Sequence, residues 1–80
     1  MHMPRRPGTP VTVTGRVLAI LRTFSGSDGR GQSLKEISRR SGLPLSTTSR
    51  LVNELVVGDA LSRDNSLRYR IGPGVRELAG

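Results

Sequence analysis

Ser33 to Asp59, SLKEISRRSGLPLSTTSRLVNELVVGD, reads as two helices joined by a tight turn. Ser33 and Glu36 form a capping box: the serine hydroxyl accepts from the Glu36 amide, and the Glu36 carboxylate reaches back to the Ser33 amide. Leu34, Ile37, Ser38 and Ser41 then share one side at helical spacing, and Lys35, Arg39 and Arg40 fall off it. Gly42 stands where a left-handed cap ends the helix without a Cβ clash. Pro44 opens the second helix, its fixed φ suited to the first turn. At 100° per residue, Leu45, Thr48, Leu51, Val52 and Leu55 gather on one face. Ser46, Ser49, Arg50, Asn53 and Val57 gather opposite, with Thr47 beside them.

A helix built only to pack and stay soluble usually carries Glu and Lys outside. Here the first turns carry Ser, Thr and Arg, whose side chains reach phosphates and base edges. A solvated face of low helix propensity is the plain alternative. The preceding short helix and glycine turn favour the helix-turn-helix pattern over it.

The bounds of the chain agree. Eighty residues allow one small domain. No cysteine is present, which excludes a disulfide framework and thiolate metal sites. His2 is the single histidine, so neither a metal cluster nor histidine acid–base catalysis is supported. No apolar run approaches the ~18 residues of a membrane span, and no signal-peptide pattern occurs. The net charge is +7, from twelve Arg and one Lys against six acids. That balance favours an anionic partner, and arginine suits phosphate and guanine forks.

Outward from the central stretch, Val11 to Ser25 holds a helix. Val13, Val17, Ile20, Leu21 and Phe24 recur at helical spacing with Leu18 on the flank; either Thr12 or Thr14 is its N-cap. Phe24 is the expected core anchor. Gly26 to Gln32 reads as a loop, with Arg30 exposed and uninvolved. Residues 1–12 read as a disordered arm, in which Met1-His2-Met3 has the look of a vector remnant. Arg5 and Arg6 there are candidates for tracking a DNA backbone. After Asp59 the period changes to two. Ala60 to Arg63 and Arg68 to Ile71 read as strands around an Asp64–Leu67 turn. Tyr69 and Ile71 face one way, Arg68 and Arg70 the other, which makes a wing with a basic upper side. Gly72-Pro73-Gly74 breaks the strand, and Val75 to Ala79 begins another helical pattern too short to stand alone.

The series Val17-Leu18-Ala19-Ile20-Leu21, Leu34-Lys35-Glu36-Ile37, Ser41-Gly42-Leu43-Pro44, Ser46-Thr47, Arg50-Leu51, Leu61, Arg63, Tyr69-Arg70-Ile71-Gly72-Pro73 and Glu77-Leu78 resembles the N-terminal domain of the isocitrate-lyase-regulator (IclR) family of bacterial transcription factors. The resemblance covers about residues 13 to 80. It implies a mostly α fold with a small β-hairpin, a winged helix-turn-helix over residues 13–72. Residues 73–80 would start a linker helix to a C-terminal effector domain absent from this chain. It also implies homodimers or tetramers on palindromic operators in the cytoplasm, associated with the nucleoid, and a small-molecule effector bound by that further domain. Ser46, Thr47 and Arg50 match the positions placed at DNA. Two positions depart from the pattern: Thr48 stands where valine is usual, and Ala60 where an aromatic is common.

The full candidate DNA-contacting set is Leu45, Ser46, Thr47, Ser49, Arg50 and Asn53 on the reading helix, with Arg39, Arg40, Arg63, Arg68 and Arg70 around it. The reading helix, about 44–58, is expected in a major groove, and the wing, about 60–71, on the backbone or in a minor groove. No cofactor or metal is expected. The alternatives are a winged helix used for protein contact or RNA, against which the Ser46, Thr47 and Arg50 face argues, and an enzyme. Glu36, Glu54, Asp59 and Asp64 each have simpler roles as cap, surface charge or turn residue. No nucleophile–base pair or phosphate loop is visible.

Overall fold

Thr12 starts the first helix: its hydroxyl accepts from the Gly15 amide at 3.0 Å, which settles the cap in its favour over Thr14. The computed structural model describes residues 12–25 and 30–75. The arm with Arg5 and Arg6, most of the first loop and the continuation of the last helical pattern lie outside the described residues. The order of elements is α1 (Val13–Arg22), α2 (Leu34–Ser41), α3 (Leu45–Val57), β1 (Leu61–Arg63) and β2 (Tyr69–Ile71).

In α2 the capping box forms with both bonds, Ser33 N to Glu36 Oε1 at 2.8 Å and Glu36 N to Ser33 Oγ at 3.2 Å. Gly42 ends α2 at φ +78°, the left-handed region that glycine enters without strain. The turn that follows is fixed by two serines. Ser38 Oγ donates to the Leu43 carbonyl at 2.7 Å, and Ser41 Oγ accepts from the Leu43 amide at 3.3 Å. Leu43 itself is buried in the core. Together these contacts set the direction in which the chain enters α3.

The apolar faces meet in one cluster of Ile20, Phe24, Ile37, Leu43, Leu51, Val52, Leu61 and Tyr69, with Val17, Leu21, Leu34, Leu55, Val56 and Ile71 packed against it. Each fully buried Ile or Val contributes about 1.5–3 kcal/mol relative to exposure, so α1, α2 and α3 are held mainly by this cluster. Thr48 is fully buried within it. Its hydroxyl donates to the Pro44 carbonyl at 2.9 Å, so the polar group is satisfied inside its own helix.

β1 and β2 pair antiparallel in the register Leu61↔Ile71, Ser62↔Arg70 and Arg63↔Tyr69. Tyr69 is buried and Ile71 packs on the core, as the alternation requires. Gly72 closes the hairpin onto the chain before it. A Cβ at Gly72 would stand 2.5 Å from the Asp59 carbonyl oxygen and 2.9 Å from the Leu61 carbonyl carbon, so a side chain there forces the backbone apart. Asp59 holds φ +64°, and its carbonyl accepts from the Gly74 amide at 2.9 Å.

Several expectations are revised by the structure. Pro44 is the N-cap, in extended conformation with ψ 149°, and α3 begins one residue later. Leu45, grouped with the apolar face by periodicity, is 45% exposed because the first turn overhangs the core. The strands begin at Leu61 and Tyr69, one residue later than Ala60 and Arg68. The last helical turn opens at residue 73, ahead of Val75. Gln32 is not a loop residue in any functional sense. It is 1% exposed and pairs as an isolated antiparallel bridge with Tyr69, through Gln32 N to Tyr69 O at 2.9 Å and Tyr69 N to Gln32 O at 2.7 Å.

Candidate nucleic-acid interface

α3 buries Thr48, Leu51 and Val52 and turns its other side outward. Ser46, Arg50, Asn53 and Val57 are exposed on that side, and Thr47 and Ser49 are half-buried beside them. Leu45 stands at the head of this surface. No side chain caps α3. Its first-turn amides therefore lack an intrahelical partner and carry the positive end of the helix dipole. Arg50 forms no ion pair among the described residues, so its guanidinium is available outside the fold. Arg39 and Arg63 are exposed in the same condition.

Arg40 is held. Its Nη1 donates to Gln32 Oε1 at 2.6 Å, and Gln32 Nε2 donates in turn to Thr23 Oγ1 at 3.0 Å. Thr23 donates to the Ile20 carbonyl at 2.6 Å. A chain of hydrogen bonds thus runs from the end of α1 through a buried amide to a cation on α2. Sequence pattern gives no warning of it, because a single Gln after a glycine-rich loop has no periodicity to betray burial. Among the described residues no buried side-chain nitrogen or oxygen lacks a partner.

Arg68 and Arg70 also find partners within the domain. Arg68 Nη2 meets Glu36 Oε1 at 3.1 Å and the Gly31 carbonyl at 3.0 Å, while its Nε donates to the Arg30 carbonyl at 3.1 Å. Arg70 Nη1 meets Asp64 Oδ2 at 2.6 Å, and its Nη2 donates to the Arg30 carbonyl at 3.1 Å. Arg30, expected to be uninvolved, therefore supplies the carbonyl on which both arginines converge. Glu36 serves twice, as cap of α2 and as anchor of the wing. Its carboxyl is held below the usual range by the hydrogen bond from the Ser33 amide, reinforced by the Arg68 charge, with desolvation opposing. Asp64 organises the wing tip. Its Oδ1 accepts from the amides of Ser66 at 2.8 Å and Arg68 at 3.0 Å. The Arg68 amide, then the Arg70 side chain, hold the Asp64 carboxyl below its usual range. An Asp opening a turn is the signal for this role.

Among the described residues no cluster of His, Cys, Asp or Glu is arranged to hold a metal, and no helix is long and apolar enough to cross a membrane.

Three helices with a two-stranded hairpin after the third define a winged helix-turn-helix with an exposed polar face on α3. Residues 13–65 match the sequence pattern of the IclR helix-turn-helix domain, and the chain belongs to that family. It is thus the DNA-binding domain type of a transcription regulator. Solved structures agree. An IclR homolog from Microbacterium hydrocarbonoxydans, crystallised with 4-hydroxybenzoate, is 36% identical with a TM-score of 0.77, over 84% of this chain and 28% of that one. The repressor BlcR of Agobacterium tumefaciens is 31% identical with a TM-score of 0.71, over 85% of this chain and 28% of its own. An IclR-family regulator from Rhodococcus, 22% identical with a TM-score of 0.66, covers 96% of this chain and 31% of its own, and shares the fold. No curated protein matches the chain in sequence. The chain spans little more than a quarter of the length of these solved relatives.

Proposed function

We propose that this chain reads a palindromic operator as the N-terminal domain of a homodimeric bacterial regulator, with α3 in the major groove. One observation carries the reading: α3 buries Thr48, Leu51 and Val52 on one face and presents Ser46, Arg50 and Asn53 on the other, with Arg50 in no ion pair among the described residues. Ser46 and Thr47, with the uncapped amides of α3, seat the helix on phosphate. Arg50 forks onto the O6 and N7 of a guanine. Leu45, Ser49 and Asn53 line the same groove. Arg39, Arg40 and Arg63 meet the backbone at its edges, Arg40 pre-oriented by Gln32.

For Arg68 and Arg70 the internal partners refine the assignment. Both remain more than a third exposed, at 36% and 37%. They therefore brace the wing first and share a phosphate with their outer edges. Arg5 and Arg6 add contacts to the backbone, and the DNA-binding domain is accompanied by an effector domain. A small-molecule effector for that domain is supported by the relative crystallised with 4-hydroxybenzoate. The setting that follows is the cytoplasm, at the nucleoid.

Fluorescence anisotropy on genomic fragments at two salt concentrations tests the reading. Each neutralised phosphate adds about 0.9 to the slope of log K against log salt. Affinity for duplex DNA is expected to fall steeply as salt rises. Binding that hardly responds to salt rejects the proposal.

A further inference from the structure

The tip of the wing carries an apolar residue in a conformation that does not suit it. Leu67 has φ +61°, in the left-handed region where glycine sits freely and a γ-branched side chain is strained. Its side chain is 63% exposed, outside the buried core. An isobutyl group this exposed adds little burial energy to offset the strained backbone. Such backbone outliers cluster at functional sites.

The surroundings hold it in place. The Leu67 amide donates to the Asp64 carbonyl at 3.1 Å, and the Asp64 carboxylate ties down the amides of Ser66 and Arg68 on either side. Arg68 fastens the base of the tip to Glu36 and to the Arg30 and Gly31 carbonyls. Asn65, Ser66 and Arg63 around it are exposed. The result is a hydrogen-bonded, polar-flanked prong ending in one aliphatic group.

We infer that Leu67 is a wedge that enters the minor groove beside the α3 half-site and partly unstacks one base step. Leucine is among the residues that intercalate in this way, and pyrimidine–purine steps yield most readily. Leu67 thereby selects a deformable step at a fixed distance from the bases read by α3. The inference rests on the DNA-binding reading above.

The test selects duplexes from a randomised pool with the wild-type chain, with Leu67→Gly and with Leu67→Met. Glycine relieves the backbone strain, so Leu67→Gly is expected to melt at the same temperature as wild type or higher. Wild type and Leu67→Met are expected to enrich a pyrimidine–purine step flanking the half-site. Leu67→Gly is expected to lose that step, keep the α3-read bases, and bind about tenfold more weakly, the size of one lost base-pair preference. 2-Aminopurine placed at the step is expected to brighten with wild type and stay quenched with the glycine variant. Identical preferences and equal emission from wild type and Leu67→Gly overturn the wedge while leaving DNA binding intact. Failure of the wild type to retain any duplex at low salt overturns both readings together.

Discussion

At the scale of single residues, Arg50 and Gln32 show opposite ways of using a polar side chain. Arg50 lies on the exposed side of α3, across from Leu51 and Val52. Arg50→Ala is expected to leave the melting temperature nearly unchanged and to cost about 1–3 kcal/mol on the operator, relaxing preference at one base pair per half-site. Selection of random duplexes with both proteins checks it; the same preferred sequence from each would show that Arg50 grips only phosphate. Gln32 is buried and bridges Thr23 to Arg40 while its backbone pairs with Tyr69. Gln32→Leu keeps the volume and removes both side-chain bonds. A loss of about 1–3 kcal/mol is expected by urea denaturation, because the Thr23 hydroxyl loses a donor partner in a part-buried place. An unchanged midpoint would mean that the amide merely fills space.

At the scale of elements, the wing is braced more than it is charged. Sequence alternation puts Arg68 and Arg70 on the upper side of the hairpin, and the structure engages both with Glu36, Asp64 and the Arg30 carbonyl. Replacing both with Ala is expected to have two effects. Affinity should drop by a similar factor on every duplex, as for backbone contacts. The wing should also loosen, seen as faster amide exchange at Tyr69 and Ile71 than in the wild type. Loss of one operator with random DNA still bound at full strength would contradict the backbone role. Unchanged exchange would contradict the bracing role. α2 takes part in the same device, since its capping Glu36 is one of the anchors. Exposed ion pairs alone are worth little; here the pair is joined to a cap and two carbonyls.

At the scale of the whole molecule, two lowered carboxyls couple the fold to acid. Glu36 and Asp64 both titrate below their ordinary values of 4.5 and 3.8 in the folded chain. The unfolded chain therefore binds protons first as pH falls, and stability present above those values is lost as pH drops through and below them. Melting temperature is expected to be level near neutrality and to decline once pH passes below about 4.5. In Glu36→Gln/Asp64→Asn the decline should be shallower, since neither position titrates. Equal slopes in the two proteins would remove these residues from the account. The net charge of +7 acts in the same direction, because protonating the acids increases self-repulsion.

The helix-turn-helix itself was legible in the chain because its signals are local. A capping box, a left-handed glycine and apolar residues at helical spacing each act within a few positions; the box and the glycine form as expected, while Pro44 caps α3 instead of opening it and Leu45 lies exposed. The period-two hairpin and the inward Tyr69 followed from the same kind of rule. The family could be read from the ordered series of such motifs, and residues 13–65 bear it out. What the sequence left open depends on partners distant along the chain. Gln32 meets Tyr69 and Arg68 reaches Glu36 only after the core has closed. Whether an outward arginine is free, as Arg50 is of ion pairs among the described residues, or occupied, as Arg68 and Arg70 are, turns on where a carboxylate or carbonyl from another element comes to rest. Periodicity assigns a face to each side chain; tertiary packing decides what waits on that face.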